Sequence, residues 1–435
     1  MRLRVYGLLA AMACVATPAI AADCGRGEQD VAGRVVACER LLAAPGVDDD
    51  TAAQARVILA ETYMDAGKLD AALAQAEVAV KLAPKQPVAL VTRGHVRELM
   101  RNIDGALADY DTAIGIDPKN TMARVSRGLV RFARGDYEGA RRDYDAAIAV
   151  TADDPSIYVA RARALYAVQD DQSALDDLRR AERLEKPDVN QIYFKAQVLQ
   201  ALERYPEALA AYNAALKGQP NEPELLVGRA DVLRAMALTD EAAASYRAAQ
   251  RANPNLVEAY YGQAFMFMDA EAYDKATAVL QTLLKRKPDD RGGRQGLARV
   301  AALQQRYDEA VAILDGVVRS FPDVASPYYD RGLLWEAKGD LARAVADFDK
   351  ALALDGAMLD VHLARGRVHL AAKRYPEAIK DFDVMVERSP DLAAIWWWRS
   401  RAKSLAGDAA GAKIDRDKAM EISPDVVKGL DARVV

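Results

Sequence analysis

Small and apolar residues recur along this chain at helical spacing, and the helical pattern itself recurs every 34 residues. Prolines 84, 118, 220, 254, 288, 322, 390 and 424 fall on one grid, with Ala152, Lys186 and Gly356 at the points where proline is missing. Twelve residues before every grid point stands an alanine, from Ala72 and Ala106 through to Ala378 and Ala412. With the proline counted as position 32, position 8 is always small, as at Ala60, Gly94, Gly332, Gly366 and Ser400. Position 24 is mostly large, as at Tyr110, Tyr144, Leu178, Tyr212, Phe348 and Phe382. Glycine often separates the two apolar segments of a unit, as at Gly67, Gly135 and Gly339. Each unit therefore reads as helix, turn, helix and proline stop. Small residues at 8 and 20 let the two helices approach closely, and the large residue at 24 fills the space above. Eleven such units, without insertion or deletion, fill residues 53–426 and predict an all-α solenoid.

The same positions resemble the tetratricopeptide-repeat family, whose pattern has small residues at 8 and 20, an aromatic at 24 and proline at 32. The resemblance implies a right-handed superhelix whose first helices line an inner groove. The chain departs from the family at position 4, usually Trp, and at position 7, usually Leu. Here position 7 is mostly arginine, and six units combine it with an aspartate at position 23: Arg93/Asp109, Arg127/Asp143, Arg161/Asp177, Arg331/Asp347, Arg365/Asp381 and Arg399/Asp415. Where position 7 is Gln263 or Leu297, position 23 turns apolar, as Val279 and Ile313. Positions that change together predict contact between the two helices of a unit. The pairs read as structural braces, with ligand binding as the alternative.

The ends differ from the middle. Met1 to Arg4 is a short basic start, Val5 to Ala16 an apolar run, and Ala19-Ile20-Ala21 carries small residues where a signal peptidase reads. Residues 1–21 are thus expected to be a signal peptide cleaved near Ala21/Ala22, an uncleaved anchor being the alternative. Removing Arg2 and Arg4 takes the net charge from −5 to −7, and Cys14 goes with them. Cys24 and Cys38 remain, and a lone pair in an exported chain reads as a disulfide, two reduced thiols being the alternative. Residues 22–52, with a helix expected over 30–43, form an N-terminal cap that the bridge would seal. Residues 427–435 read as a C-terminal cap or tail, and Arg416 at position 24 of the last unit replaces the usual ring.

Chemistry is sparse. The acidic balance, 59 Lys and Arg against 64 Asp and Glu, argues against nucleic acid as a partner. No further apolar run is long enough to span a bilayer, so no stable membrane span is expected after signal cleavage. Phosphate-loop, dinucleotide, zinc-protease and serine-hydrolase motifs are absent, which predicts a protein that is not an enzyme and holds no cofactor or metal. His362 and His369 stand on the packing face of one helix and read as core residues rather than metal ligands.

The functional signal lies in the stripe of positions 2, 5, 9, 12 and 13 on the first helices. Its charges are mixed, with Glu61, Glu98, Asp231, Glu258 and Asp360 alongside Arg163, Arg234, Arg299, Arg367 and Arg401. Apolar density peaks at Tyr261, Phe265 and Met268 in the seventh unit and at Tyr329 and Leu333 in the ninth. The unit between them offers Gly292, Gln295 and Arg299, which predicts a shallow pocket between two apolar ridges. These six residues (Tyr261, Phe265, Met268, Arg299, Tyr329 and Leu333) are the expected partner site, unless some pack against a neighbouring repeat. The reading is an exported, non-enzymatic scaffold, periplasmic in location, with a protein or peptide segment in its groove. Its competitor is an accessory factor for envelope or surface polysaccharide assembly or export. Oligomeric state is open.

Overall fold

The computed structural model describes Cys24 and residues 31–432. The expected signal peptide, residues 1–21, lies outside the described residues. Those described form 24 α-helices and no strand, in two compact bodies, one ending at Pro220 and the other beginning at Asn221. In the first body a leading helix, Val31–Leu42, packs on Asp49–Asp65, and helix pairs then follow in chain order, each helix packed on the one before it. First helices of successive pairs begin at Pro87, Thr121, Pro155 and Val189, each 34 residues after the last. The second body repeats the plan from Pro223, Val257, Arg291, Ala325, Leu359 and Ala393, and ends on the short helix Pro424–Ala432. None of the described helices is long and apolar enough to cross a membrane.

The turn inside each pair has one geometry. Position 15 has positive φ throughout, at Gly67, Gly135, Gly339 and Gly407 but also at Arg101, Gln169, Glu203, Ala237, Glu271, Gln305 and Lys373. The next residue's N–H returns to the carbonyl five residues back, as Lys68 to Tyr63 and Asp136 to Arg131, which closes the first helix in a Schellman turn. Where that next residue is Asn or Asp it also caps the second helix: Asn102, Asp136, Asp170, Asp340 and Asp408 each accept from a backbone N–H three residues on. The two caps meet in a connection of three residues, so the helices of a pair fold back antiparallel.

In six of the pairs a ring at position 24 makes the core, and in three others Leu178, Leu280 or Leu314 takes its place. Tyr110, Tyr144, Tyr212, Tyr246, Phe348 and Phe382 are fully buried. They lie so close to position 8 that a Cβ on Gly94, Gly128, Gly332 or Gly366 would sit 2.5–2.6 Å from a ring carbon. Those glycines are demanded by close approach.

At position 23, beside Tyr110, Tyr144, Phe348 and Phe382 and also beside Leu178 and Arg416, lies a buried carboxylate. All six Arg–Asp combinations are in contact, at 2.6 Å for Arg93–Asp109, Arg161–Asp177, Arg331–Asp347 and Arg365–Asp381, 2.5 Å for Arg127–Asp143 and 2.7 Å for Arg399–Asp415. In each, Nε and Nη2 take the two carboxylate oxygens as a fork, the pairing that best offsets desolvation. The third nitrogen makes a bond that the sequence pattern did not reveal. Nη1 of Arg127, Arg161, Arg331, Arg365 and Arg399 reaches Asp111, Asp145, Asp315, Asp349 and Asp383, at position 25 of the preceding repeat, at 2.6–2.9 Å. One guanidinium therefore braces its own pair and staples it to its neighbour. Asp381 is shared further, with His362 Nδ1 at 2.9 Å, so that histidine is part of the brace.

Both ends show differences from expectation. No disulfide joins Cys24 and Cys38, so the expected bridge is not formed in this structure. They nevertheless meet: both are wholly buried with Ala55, Ile58 and Leu59, and the Cys38 thiol donates to the Cys24 carbonyl at 3.5 Å. At the other end Arg416 stays exposed but has a partner. It pairs with Asp431 of Pro424–Ala432 at 2.5 Å, and the same carboxylate accepts from Trp397 Nε1 at 2.8 Å.

Two outcomes test this packing. Gly332→Ala should cost about 1–3 kcal/mol, because Phe348 must move. Gly316→Ala, in a helix with nothing within 4 Å of the new methyl, should be neutral or stabilising by up to about 1 kcal/mol in urea melts. Asp347→Asn should lose about 3 kcal/mol, whereas Asp315→Asn, whose side chain is 40% exposed, should lose under about 1 kcal/mol.

Candidate functional site

The stripe of positions 2, 5, 9, 12 and 13 lies on the first helices, several of which touch directly within each body: Asp49–Asp65 with Pro87–Leu99, and Val257–Asp269 with Arg291–Leu303. In the second body Phe265 is 38% exposed, the apolar candidate most open to solvent. Arg299, from the next first helix, lies over it with its guanidinium carbon 5.5 Å from the ring centroid. A cation held on an aromatic face keeps most of its N–H donors directed outward. Leu303, one turn beyond Arg299, is 46% exposed, and the pattern had not singled it out.

The other candidates are placed differently. Met268 is only 6% exposed, packed with Ala264, Ala276, Leu280 and Val300, so it belongs to the core and not to the site. The expected pocket at Gly292 is filled. Tyr261 crosses from its own helix onto that glycine and donates its hydroxyl to Asp290. A Cβ at position 292 would strike the Tyr261 hydroxyl, so the glycine is the seat of the ring rather than an opening. Tyr329 is half-buried against Phe348, with ring centroids 6.1 Å apart, and Leu333 leans on the same core. The structure thus brings Phe265 and Arg299 together, sets Tyr261 beside them as a bound wall, and leaves Tyr329 and Leu333 half-accessible.

Polar links join the first helices beneath this surface. Gln295 donates to Asp330 at 2.5 Å, and Arg367 pairs with Glu336 at 2.7 Å. Burial raises the Asp330 carboxyl above the usual aspartate range, against the Gln295 hydrogen bond and the nearby Arg299 and Arg291 charges. Asp231 is likewise raised by burial, with the Tyr246 hydroxyl donating to it, and Arg234 pairs with Asp269 at 3.0 Å. Arg401 lies over Trp397 at 5.8 Å.

The first body carries a parallel arrangement. Arg163, exposed at position 9, lies 5.7 Å over Phe194, and Tyr166 meets the same ring edge-on at 5.6 Å. His95 Nε2 shares a 2.7 Å hydrogen bond with Ser126 Oγ, and Glu98 accepts from Tyr110 at 3.1 Å. Burial raises the Glu98 carboxyl and pushes the His95 imidazole down to about 4. On another face, a polar cleft of about 630 Å³ runs between Tyr137–Ile148 and Asp171–Leu184, walled by Glu138, Arg141, Asp176 and the Arg161 fork. Among the described residues no three His, Cys, Asp or Glu side chains are arranged to hold a metal ion. His369 is buried 4.0 Å from Asp381, on the brace already described.

Comparison with known proteins agrees with the helix pairs. Family profiles described as tetratricopeptide repeat match residues 193–257, 227–291, 261–325 and 297–369, and one described as TPR repeat matches 128–169. The chain is similar to yeast Tom70 at a TM-score of 0.53 and 14% identity, covering 95% of this chain and 98% of that one. A tetratricopeptide repeat protein from Parabacteroides merdae aligns at a TM-score of 0.44 and 21% identity, over 61% of this chain and 98% of its own. YrrB, described as a TPR protein with an unusual peptide-binding site, aligns at 0.37 and 20% identity, over 42% of this chain and 93% of its own. No curated protein matches the chain by sequence.

The half-buried His95 yields a prediction. His95 titrates below the ordinary histidine value near 6.5 in the fold, so its contribution to stability is complete above pH ~6.5 and is lost as pH falls toward about 4. An NMR titration should place its midpoint well below 6.5, and His95→Gln should flatten the stability loss across that window.

Proposed function

Because the chain belongs to the tetratricopeptide-repeat family, we propose that it is a non-enzymatic scaffold that holds a protein or peptide segment against its first helices. Its place is the cell envelope, reached by export and removal of residues 1–21. Residues 22–52 cap the array, 53–426 form eleven repeats, and 427–435 close it.

The observation that carries the reading is the Phe265–Arg299 pair. An exposed ring and an outward-facing guanidinium on one stripe are the composition of an interface hot spot, apolar area beside a planar donor. Tyr261, Tyr329 and Leu333 form its flanks, with one face of each already packed and therefore ordered before binding. Met268 takes no part. Mixed charge on the stripe, with Glu258 and Asp360 at its acidic positions and Arg299 and Arg367 at its basic ones, suits a polypeptide of alternating character better than a uniformly charged polymer.

Affinity capture from an envelope extract tests this, with Phe265→Ala as the control. The variant should lose about 2 kcal/mol of binding, roughly thirtyfold, with helicity and melting unchanged. Protease treatment of the extract should abolish capture. A bound species that survives protease, or equal capture by wild type and variant, would overturn the proposal.

A further inference from the structure

The N-terminal end carries a pair of groups that the groove does not use. Cys24 precedes the leading helix and Cys38 lies within it, yet both are wholly buried and share one core patch with Ala55, Ile58 and Leu59 of the helix that follows. The Cys38 thiol donates to the Cys24 carbonyl at 3.5 Å. We propose that Cys24 and Cys38 are a redox site, oxidised to an intramolecular disulfide that clamps the chain ahead of the leading helix onto the end of the stack.

The reaction is thiol–disulfide exchange, and its oxidant is a disulfide, either small or carried by an oxidoreductase. One cysteine thiolate attacks a sulfur of R–S–S–R, forming a mixed disulfide and releasing one R–SH. The second thiolate then attacks the mixed disulfide, closing Cys24–Cys38 and releasing the second R–SH. Two electrons pass to the oxidant, and the two thiol protons end on the released thiols.

The surroundings decide when this happens. Hydrogen bonding to Cys24, and then burial, raise the Cys38 thiol well above its ordinary value, so the folded cap holds almost no attacking thiolate. The bridge therefore forms before the cap packs or while it is open, and once it is made a reductant reaches it by the same opening. Its effect is local, because each helix pair in an array of this kind touches only its neighbours. The nearby tethers of the leading helix are weak: Arg34 approaches Asp65 only to 3.7 Å, and the Asp65 side chain is 63% exposed. A covalent link between residues 24 and 38 supplies the fixed end that this ion pair does not.

The full chain, unfolded and refolded with oxidised glutathione in excess, should resist alkylation at both cysteines and give a peptide joining Cys24 to Cys38. Amide exchange across Val31–Leu42 should then rise by at least about tenfold on reduction, while Ala393–Leu405 stays unchanged. Cys38→Ser should exchange like the reduced protein. The proposal is overturned if both cysteines remain alkylatable after refolding, or if either is instead joined to Cys14. It is equally overturned if Cys38→Ser exchanges as slowly as the oxidised protein. None of these readouts depends on partner capture, so the groove reading stands or falls separately.

Discussion

The rings at position 24 set the distance between helices, and everything else in the array is arranged around that distance. Tyr110, Tyr144, Phe348 and Phe382 lie flat on glycines whose missing Cβ is the space the ring occupies. A helix pair held this closely has room for only small residues at its crossing, which is why Ala72, Ala106, Ala344 and Ala378 are fully buried at position 20. The three-residue turn with positive φ at position 15 brings the chain back at the separation the ring requires.

Close packing would bury the aspartate at position 23 at high cost if it stood alone. The arginine at position 7 removes most of that cost with a two-oxygen fork and uses its remaining nitrogen on the previous repeat. The brace and the staple are thus one side chain. The arrangement changes along the chain. Lys195 turns to Glu182 at 2.6 Å, Arg229 meets only the Ser245 hydroxyl at 2.9 Å, and Leu297 has no polar group to offer. Those repeats replace the Arg–Asp fork with a different ion pair, a neutral hydroxyl or apolar contact.

The same residue type does different work two positions away. Arginines at position 7 face the interior, and all but Arg229 are consumed by aspartates. Arg163, Arg299 and Arg401 at position 9 lie on aromatic faces at 5.5–5.8 Å, with no ion pair among the described residues. Two residues along a helix turn a side chain through some 200°, enough to move it from the packing seam to the stripe. The chemistry of the stripe therefore follows from helical register rather than from any special loop.

That register is what the sequence by itself determined. The 34-residue period, the small residues at 8 and 20, the ring at 24 and the coupled change at 7 and 23 are all local or one helix apart, so each repeat restates them. Helix limits, turns and the six Arg–Asp contacts followed. Tertiary structure alone decided which stripe residues reach solvent. Met268 and Phe265 are three residues apart on one helix face, yet one is core and the other open. Tyr261 covers Gly292 because the next first helix lies close enough for its hydroxyl to reach Asp290. The acids at position 25 were in plain sight, but their partner stands 16 residues on, in the following repeat. Periodicity gives the direction of a side chain about its own helix axis. Its exposure depends on how near the neighbouring first helix comes, and that distance is set by residues on other helices.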